Sequence, residues 1–121
     1  GSAQNTNDTA DATNLPRTPG GRRYTPHAAD NIRTDFRGRV ERVDEVIDRP
    51  SEVKTQLGDG STVYIQRNAG RARTYDVVIV NVSDPNGPTV VTVIRVNSPH
   101  ELDNLASNYD WVARDPFDNL P

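Results

Sequence analysis

One early histidine, His27, a set of arginines and a few hydroxyls are the side chains here with chemistry to offer, because the sequence holds no cysteine. Thiol nucleophiles, disulfides and zinc–thiolate sites are thereby excluded. What remains is proton transfer by imidazole, charge stabilisation by guanidinium and orientation by hydroxyl and amide groups. Imidazole titrates near neutral pH, which makes His27 the leading acid/base candidate. Its structural alternative is a helix-terminal histidine that merely faces solvent. His100, the other of the two histidines, stands at the start of a predicted terminal helix and reads as surface. Residues 17–73 hold 12 basic side chains, of which only Lys54 is lysine. Such an arginine bias favours planar, bidentate contacts to phosphate, although a codon bias that writes arginine at solvated positions gives the same count. No Walker loop, dinucleotide-type GxGxxG, HExxH or GxSxG pattern occurs. No cofactor and no metal site are expected, with a carboxylate site for magnesium left open.

Composition limits what can position these groups. With 121 residues, 33% of them hydrophobic, and 8 Gly and 9 Pro, there is material for one modest core. Residues 3–21 hold almost no bulky apolar side chains and cannot offset the entropy of ordering. Residues 1–21 are therefore expected to be a flexible leader or linker, Gly1 and Ser2 looking like a cloning scar, and residues 22–121 a single domain. Net charge is −3 but unevenly spread: residues 17–73 carry 12 basic against 8 acidic side chains, and residues 74–121 carry 2 against 7. No apolar stretch approaches membrane-spanning length, and the N-terminus lacks the charged-then-apolar pattern of a secretory signal, so no membrane partner is expected.

The elements follow from spacing and punctuation. Thr25 and Pro26 form an N-cap and first-turn proline, and Ala28, Ile32 and Phe36 recur at helical spacing, predicting a helix over 26–35. Gly38 interrupts it. Val40, Val43, Val46 and Ile47 then predict a second helix over 40–48, stopped by Pro50, with Glu41, Arg42, Asp44, Glu45 and Arg49 as a solvated polar face. Strands are predicted over 52–57 and 61–67, joined by a Gly-Asp-Gly turn, and over 74–82 and 89–96, joined by a turn rich in Asp, Pro, Asn and Gly. The third is expected to be central, since its apolar middle suits burial on both faces. Asn97-Ser98-Pro99 predicts a short helix to about 107. Trp111 and Phe117 are expected to pack back as a C-terminal strap; a strap that shields the basic surface is the functional alternative. The fold class is α+β, two N-terminal helices on a four-stranded antiparallel sheet with a short C-terminal helix and strap.

Thr25-Pro26-His27-Ala28, Arg37-Gly38-Arg39-Val40, Val43 to Pro50, Asp59-Gly60, Val63-Tyr64-Ile65-Gln66-Arg67 and Val90-Val91-Thr92-Val93 form a series over about residues 24–96. It resembles the small nuclease domains that end bacterial polymorphic and contact-dependent toxins, of the barnase/EndoU/colicin/RelE-type fold. The resemblance implies a metal-independent endoribonuclease with two helices on one face of the sheet and RNA across the other. Cleavage by the 2′-hydroxyl, leaving a 2′,3′-cyclic phosphate, needs a proton acceptor, a proton donor and cations for the phosphorane. On this reading His27 is the general acid or base, Arg39 and Arg67 stabilise phosphate charge, and Thr92 is the late-strand hydroxyl that orients the phosphate. Simple alternation places Thr92 with Val90 and Ile94, on the face away from Val91 and Val93. Tyr64 and Gln66, which share a face, are candidates to stack on a base or bind phosphate. Arg33, Arg37, Arg71 and Arg73 are backbone-positioning candidates. EndoU-like members use two histidines; here only a one-histidine version is available, His100 lying outside the resembling stretch.

The same resemblance implies an RNA substrate, tRNA among the options, a cognate immunity protein and a monomeric domain. It also implies secretion or delivery as part of a larger polypeptide and action in a target-cell cytoplasm. Two other classes stay open: a non-catalytic, immunity-like module whose acidic C-terminal part meets a basic protein, and a structural domain of a secreted assembly that packs through strand edges.

Overall fold

The computed structural model describes residues 15–68 and 74–113. Among the described residues the chain order is β1 (Arg23–Tyr24), α1 (Pro26–Asp35), α2 (Glu41–Asp48), β2 (Glu52–Gln56), β3 (Thr62–Arg67), β4 (Tyr75–Asn81), β5 (Thr89–Val96), α3 (Pro99–Asn108) and β6 (Trp111–Ala113). The strands form one open sheet in the order β1-β5-β4-β3-β2-β6. β2 to β5 run antiparallel in sequence, joined by turns; β1 joins β5 in parallel and β6 joins β2 antiparallel.

The expected four-stranded antiparallel sheet is thus corrected to a six-stranded mixed sheet with three helices. Both added strands are too short to carry a two-residue period. β1 is a dipeptide inside the arginine-rich entry, paired with Thr89 and Val90. β6 is three residues of the expected strap, and Trp111 pairs opposite Gln56. Entry residues ahead of β1 are also built in. Thr18 is buried, and its hydroxyl donates to Asp44 at 2.7 Å while the Gly20 amide donates to the same carboxylate at 2.8 Å. Asp44, expected on a solvated helix face, is therefore engaged with another part of the chain, and so is Arg42 from the same expected face, whose Nε donates to Asp76 of β4 at 2.7 Å. Phe117, Arg71, Arg73 and residues 1–14 lie outside the described residues.

Two apolar layers cover the sheet. On the first face, Ala28, Ile32 and Phe36 of α1 and Val43 and Val46 of α2 close over Val78, Val80, Val90 and Val93. On the second, Leu102 of α3 and Trp111 close over Val63, Ile65, Val77, Ile79 and Val96. Thr25 caps α1 by accepting from the Ala28 amide at 3.1 Å, and Ser98 caps α3 by accepting from the Glu101 amide at 3.1 Å. Gly38, at φ +78°, donates its amide to Ile32 at 2.9 Å and turns the chain between α1 and α2, a left-handed position that costs glycine little.

Simple alternation fails once in β5. Ile79 lies opposite Thr92 and Val80 opposite Val90, so Val91 is an inserted bulge residue. Val90 and Val93 consequently both join the first core, while Val91 and Ile94 pack with the second. The expected grouping of Thr92 with Val90 is corrected accordingly: beyond a bulge the pleat resumes with the opposite phase. A run of β-branched residues fits either face and carries no mark of where the bulge falls.

Candidate functional site

Beside α3 the second face carries a groove of about 220 Å³. Its floor is Ile79 from β4 with Val91 and Ile94 from β5; His27 and Thr92 stand at one side, Gln56 and Tyr109 also line it. His27 and Thr92, 65 positions apart in sequence, are brought together because α1 packs on β5 along its length and because the bulge redirects the strand. Where β1 stops after Tyr24, α1 lies against the remaining edge of β5. Asn31, one turn beyond His27 and so on the same helix face, reaches Thr92, whose hydroxyl donates to the Asn31 Oδ1 at 3.1 Å. His27 is exposed, and the first turn of α1 contains no acidic side chain. The positive end of the helix dipole therefore adjoins the imidazole without a carboxylate to cancel it.

The far side of the groove is fixed from the C-terminal strap. Trp111 donates its indole Nε1–H to Gln56 Oε1 at 2.9 Å, and Gln56 Nε2 donates to Asp59 at 3.2 Å. The Tyr109 ring is stacked on Trp111, with centroids 6.3 Å apart, and is 53% exposed.

On the first face, where α2 meets the ends of β3, β4 and β5, lies a separate polar cleft of about 400 Å³ lined by Arg39, Arg42, Glu45, Gln66, Asn68, Thr74 and Arg95. At its base Asp76 is wholly buried. Arg95 grips both carboxylate oxygens, Nε at 2.6 Å and Nη2 at 2.7 Å, and Arg42 Nε adds a third bond at 2.7 Å. Burial works to raise the Asp76 carboxyl, but the hydrogen bonds from Arg95 and Arg42 outweigh it and hold the group below the ordinary carboxylate range. Arg42 continues to Glu45 at 2.9 Å and to Asn68, and the Arg95 guanidinium also lies over the Phe36 ring at 5.9 Å. This cluster ties α2, β4 and β5 together, and its charges are matched within itself.

The sequence-predicted site residues therefore divide. His27 and Thr92 share the groove on the second face. Arg39 and Gln66 line the other cleft: Arg39 pairs with Glu41 at 3.1 Å, and the Gln66 amide donates to the backbone oxygen of Arg49 at 2.9 Å, tying β3 to the end of α2. Tyr64, half-buried, packs against the core beneath the helices. Arg67 is exposed at the end of β3. Arg33 is exposed and pairs with Asp30 within α1; Arg37 is exposed at φ +54° in the turn that leaves α1. Asn31, Gln56 and Tyr109 line or support the groove but were not singled out by sequence reasoning. Only the Trp-containing strap hinted at that side, and nothing in the strand sequence sets Gln56 apart from its neighbours.

No group of three or more His, Asp or Glu among the described residues is arranged to hold a metal ion, and no described helix is long and apolar enough to cross a membrane. No family model, curated protein or solved structure gives a match to this chain.

Proposed function

We propose that this protein is a metal-independent endoribonuclease whose reaction takes place in the groove on the second face. The observation that carries the reading is that His27, at the start of α1 by the edge of β5, meets Thr92 in a groove on the sheet face that α1 and α2 leave uncovered, the side on which the resembling toxin nucleases are expected to hold RNA. The toxin setting, with a cognate immunity protein, follows from that resemblance alone.

The chemistry uses groups at one end of the groove. His27 accepts the 2′-hydroxyl proton as the 2′-oxygen bonds to phosphorus, and the resulting imidazolium returns it to the 5′-oxygen as that bond to phosphorus breaks. Thr92 gives its proton to Asn31, so toward the groove it offers lone pairs that accept from one ring N–H of His27 and leave the other ring nitrogen bare to take the 2′-hydroxyl proton. Phosphorane charge is met by the imidazolium and by the N-terminus of α1, worth roughly half an elementary charge. These replace the Arg39 and Arg67 contacts implied by the resemblance, since neither arginine lines this groove.

The test is incubation of total bacterial RNA with the purified protein in EDTA, comparing wild type with His27→Ala and Thr92→Val and mapping the ends. Discrete fragments ending in 2′,3′-cyclic phosphate, lost in His27→Ala and reduced in Thr92→Val, are the expected result. Intact RNA in the presence of folded wild type overturns the reading.

A further inference from the structure

The two sides of the groove differ in chemistry. His27 and Thr92 handle protons at one side, whereas the side formed by Gln56 and Tyr109 has an oriented amide and an open aromatic face, with no cation among the described residues that line the groove. We infer that this second side is a subsite for a nucleobase, and that Gln56 reads the edge of the base while Tyr109 stacks on its plane. The inference rests on the ribonuclease reading for which RNA it serves, but the binding it describes is measurable without turnover.

The orientation of Gln56 is not a matter of choice. An indole N–H only donates, so Trp111 forces the carbonyl oxygen of Gln56 toward itself; a carboxylate only accepts, so Asp59 draws the amide nitrogen the other way. Asp59 is itself held by the Ser61 amide at 2.9 Å, which keeps its carboxyl below the ordinary carboxylate range and therefore ionised. Each amide atom of Gln56 retains capacity for one more bond, which leaves a donor beside an acceptor. That is the pattern by which a glutamine pairs with the edge of a base; a phosphate, which only accepts, would leave the acceptor unused.

Tyr109 supplies the complementary surface. It caps α3 through its amide, bonded to the Leu105 carbonyl at 3.0 Å, and Trp111 backs its ring, so the aromatic face is held in place while more than half exposed. A fixed aromatic over an apolar floor of Ile79, Val91 and Ile94 suits a planar ring. The groove, about 220 Å³, is smaller than the roughly 300–1,000 Å³ of sites that enclose drug-sized ligands, so a base fills the Gln56–Tyr109 end while ribose and phosphate lie at the open rim beside the exposed His27.

Trp111 is the only tryptophan in the chain and touches both reading groups, so its fluorescence reports occupancy. The experiment uses the full chain carrying His27→Ala, titrated with each of the four nucleoside 3′-monophosphates and with ribose 5-phosphate, which lacks a base. Saturable change with at least one nucleotide, about tenfold or more tighter than with ribose 5-phosphate, is the expected result. Tyr109→Leu, an exposed change that leaves Trp111 and Gln56 bonded, is expected to weaken nucleotide binding about tenfold with the near-ultraviolet circular dichroism of Trp111 retained. Equal binding of ribose 5-phosphate, or nucleotide binding unchanged by Tyr109→Leu, overturns the subsite. The two ideas fail separately: wild-type cleavage without base-dependent binding removes the subsite alone, and base-dependent binding without cleavage removes the nuclease reading alone.

Discussion

On the face under α1 and α2 the charged side chains are closed upon one another, whereas on the face beside α3 the few polar side chains keep bonding capacity to spare. Asp76 accepts from Arg42 and Arg95, and Arg42 goes on to Glu45 and Asn68. In the groove, His27 is exposed, and Thr92 and Gln56 each retain a free position. On the proposed reading, the comparison teaches that density of charge is a poor guide to where the reaction takes place. Arginines drew attention in the sequence because forks suit phosphate, but a fork whose partners lie in the same chain is already occupied.

The sharpest way to break the comparison is His27→Ala. If the groove is the chemical site, cleavage falls by about 10²–10⁴-fold, the usual worth of a general acid–base group. Denaturant unfolding should stay within roughly 0.5 kcal/mol of wild type, as befits an exposed residue. A large loss of stability with unchanged cleavage would reverse the assignment of function to this face.

Asp76→Asn tests the other face and should do the opposite. Removing one partner from a buried ionic cluster costs about 3–5 kcal/mol, read as a lowered unfolding midpoint. The pH dependence has a definite sign. The folded-state carboxyl lies below its ordinary value, so its contribution is complete above the unfolded value of about 3.9 and is lost as pH falls through the folded one. The stability gap between wild type and Asp76→Asn should therefore narrow on acidification below about pH 4 and hold constant above it. A gap that persists undiminished in acid would mean that packing, not charge, is what the substitution removes.

How far this division was legible in the sequence depends on the range of the signals. α1 and α3 were readable because their caps are local: Thr25-Pro26 and Ser98-Pro99 each bond an amide three residues on. The long strands were readable because five or more residues suffice to show a pattern. β1 and β6 were not, since two or three residues show no period and their pairing is decided by Val90 and Gln56 far away. The same limit governs the site. Helical periodicity assigns Arg42 and Asp44 to the polar side of α2 and does so correctly, yet it knows nothing of Asp76 or Thr18, which arrive from other elements and bury them. His27 was singled out by its chemistry and Thr92 by resemblance; Asn31 and Gln56 are ordinary polar residues until tertiary structure gives them partners.

A smaller effect sharpens the link between fold and groove. Thr25→Ala removes the side-chain acceptor for the Ala28 amide and should cost about 1 kcal/mol. Because the cap fixes the turn that carries His27, cleavage should fall further than the fraction unfolded accounts for. Loss of activity in strict proportion to the folded population would show that the imidazole is positioned by α1 packing on β5 alone.

The smallest expected effect is the most discriminating. Arg39 is 59% exposed and its partner Glu41 is 49% exposed, so Arg39→Ala should shift stability by no more than about 0.5 kcal/mol, as exposed ion pairs do. The family resemblance makes this arginine a stabiliser of phosphate charge, which would cost cleavage on the order of 10²-fold or more if removed. Its position in the cleft of the first face, on the other side of the sheet from the groove that His27 borders, argues for little change. Cleavage by Arg39→Ala within about twofold of wild type would assign charge stabilisation to the imidazolium and the α1 N-terminus, whereas a hundredfold loss with unchanged stability would place the scissile phosphate on the first face and make the closed charge cluster the scaffold of the reaction.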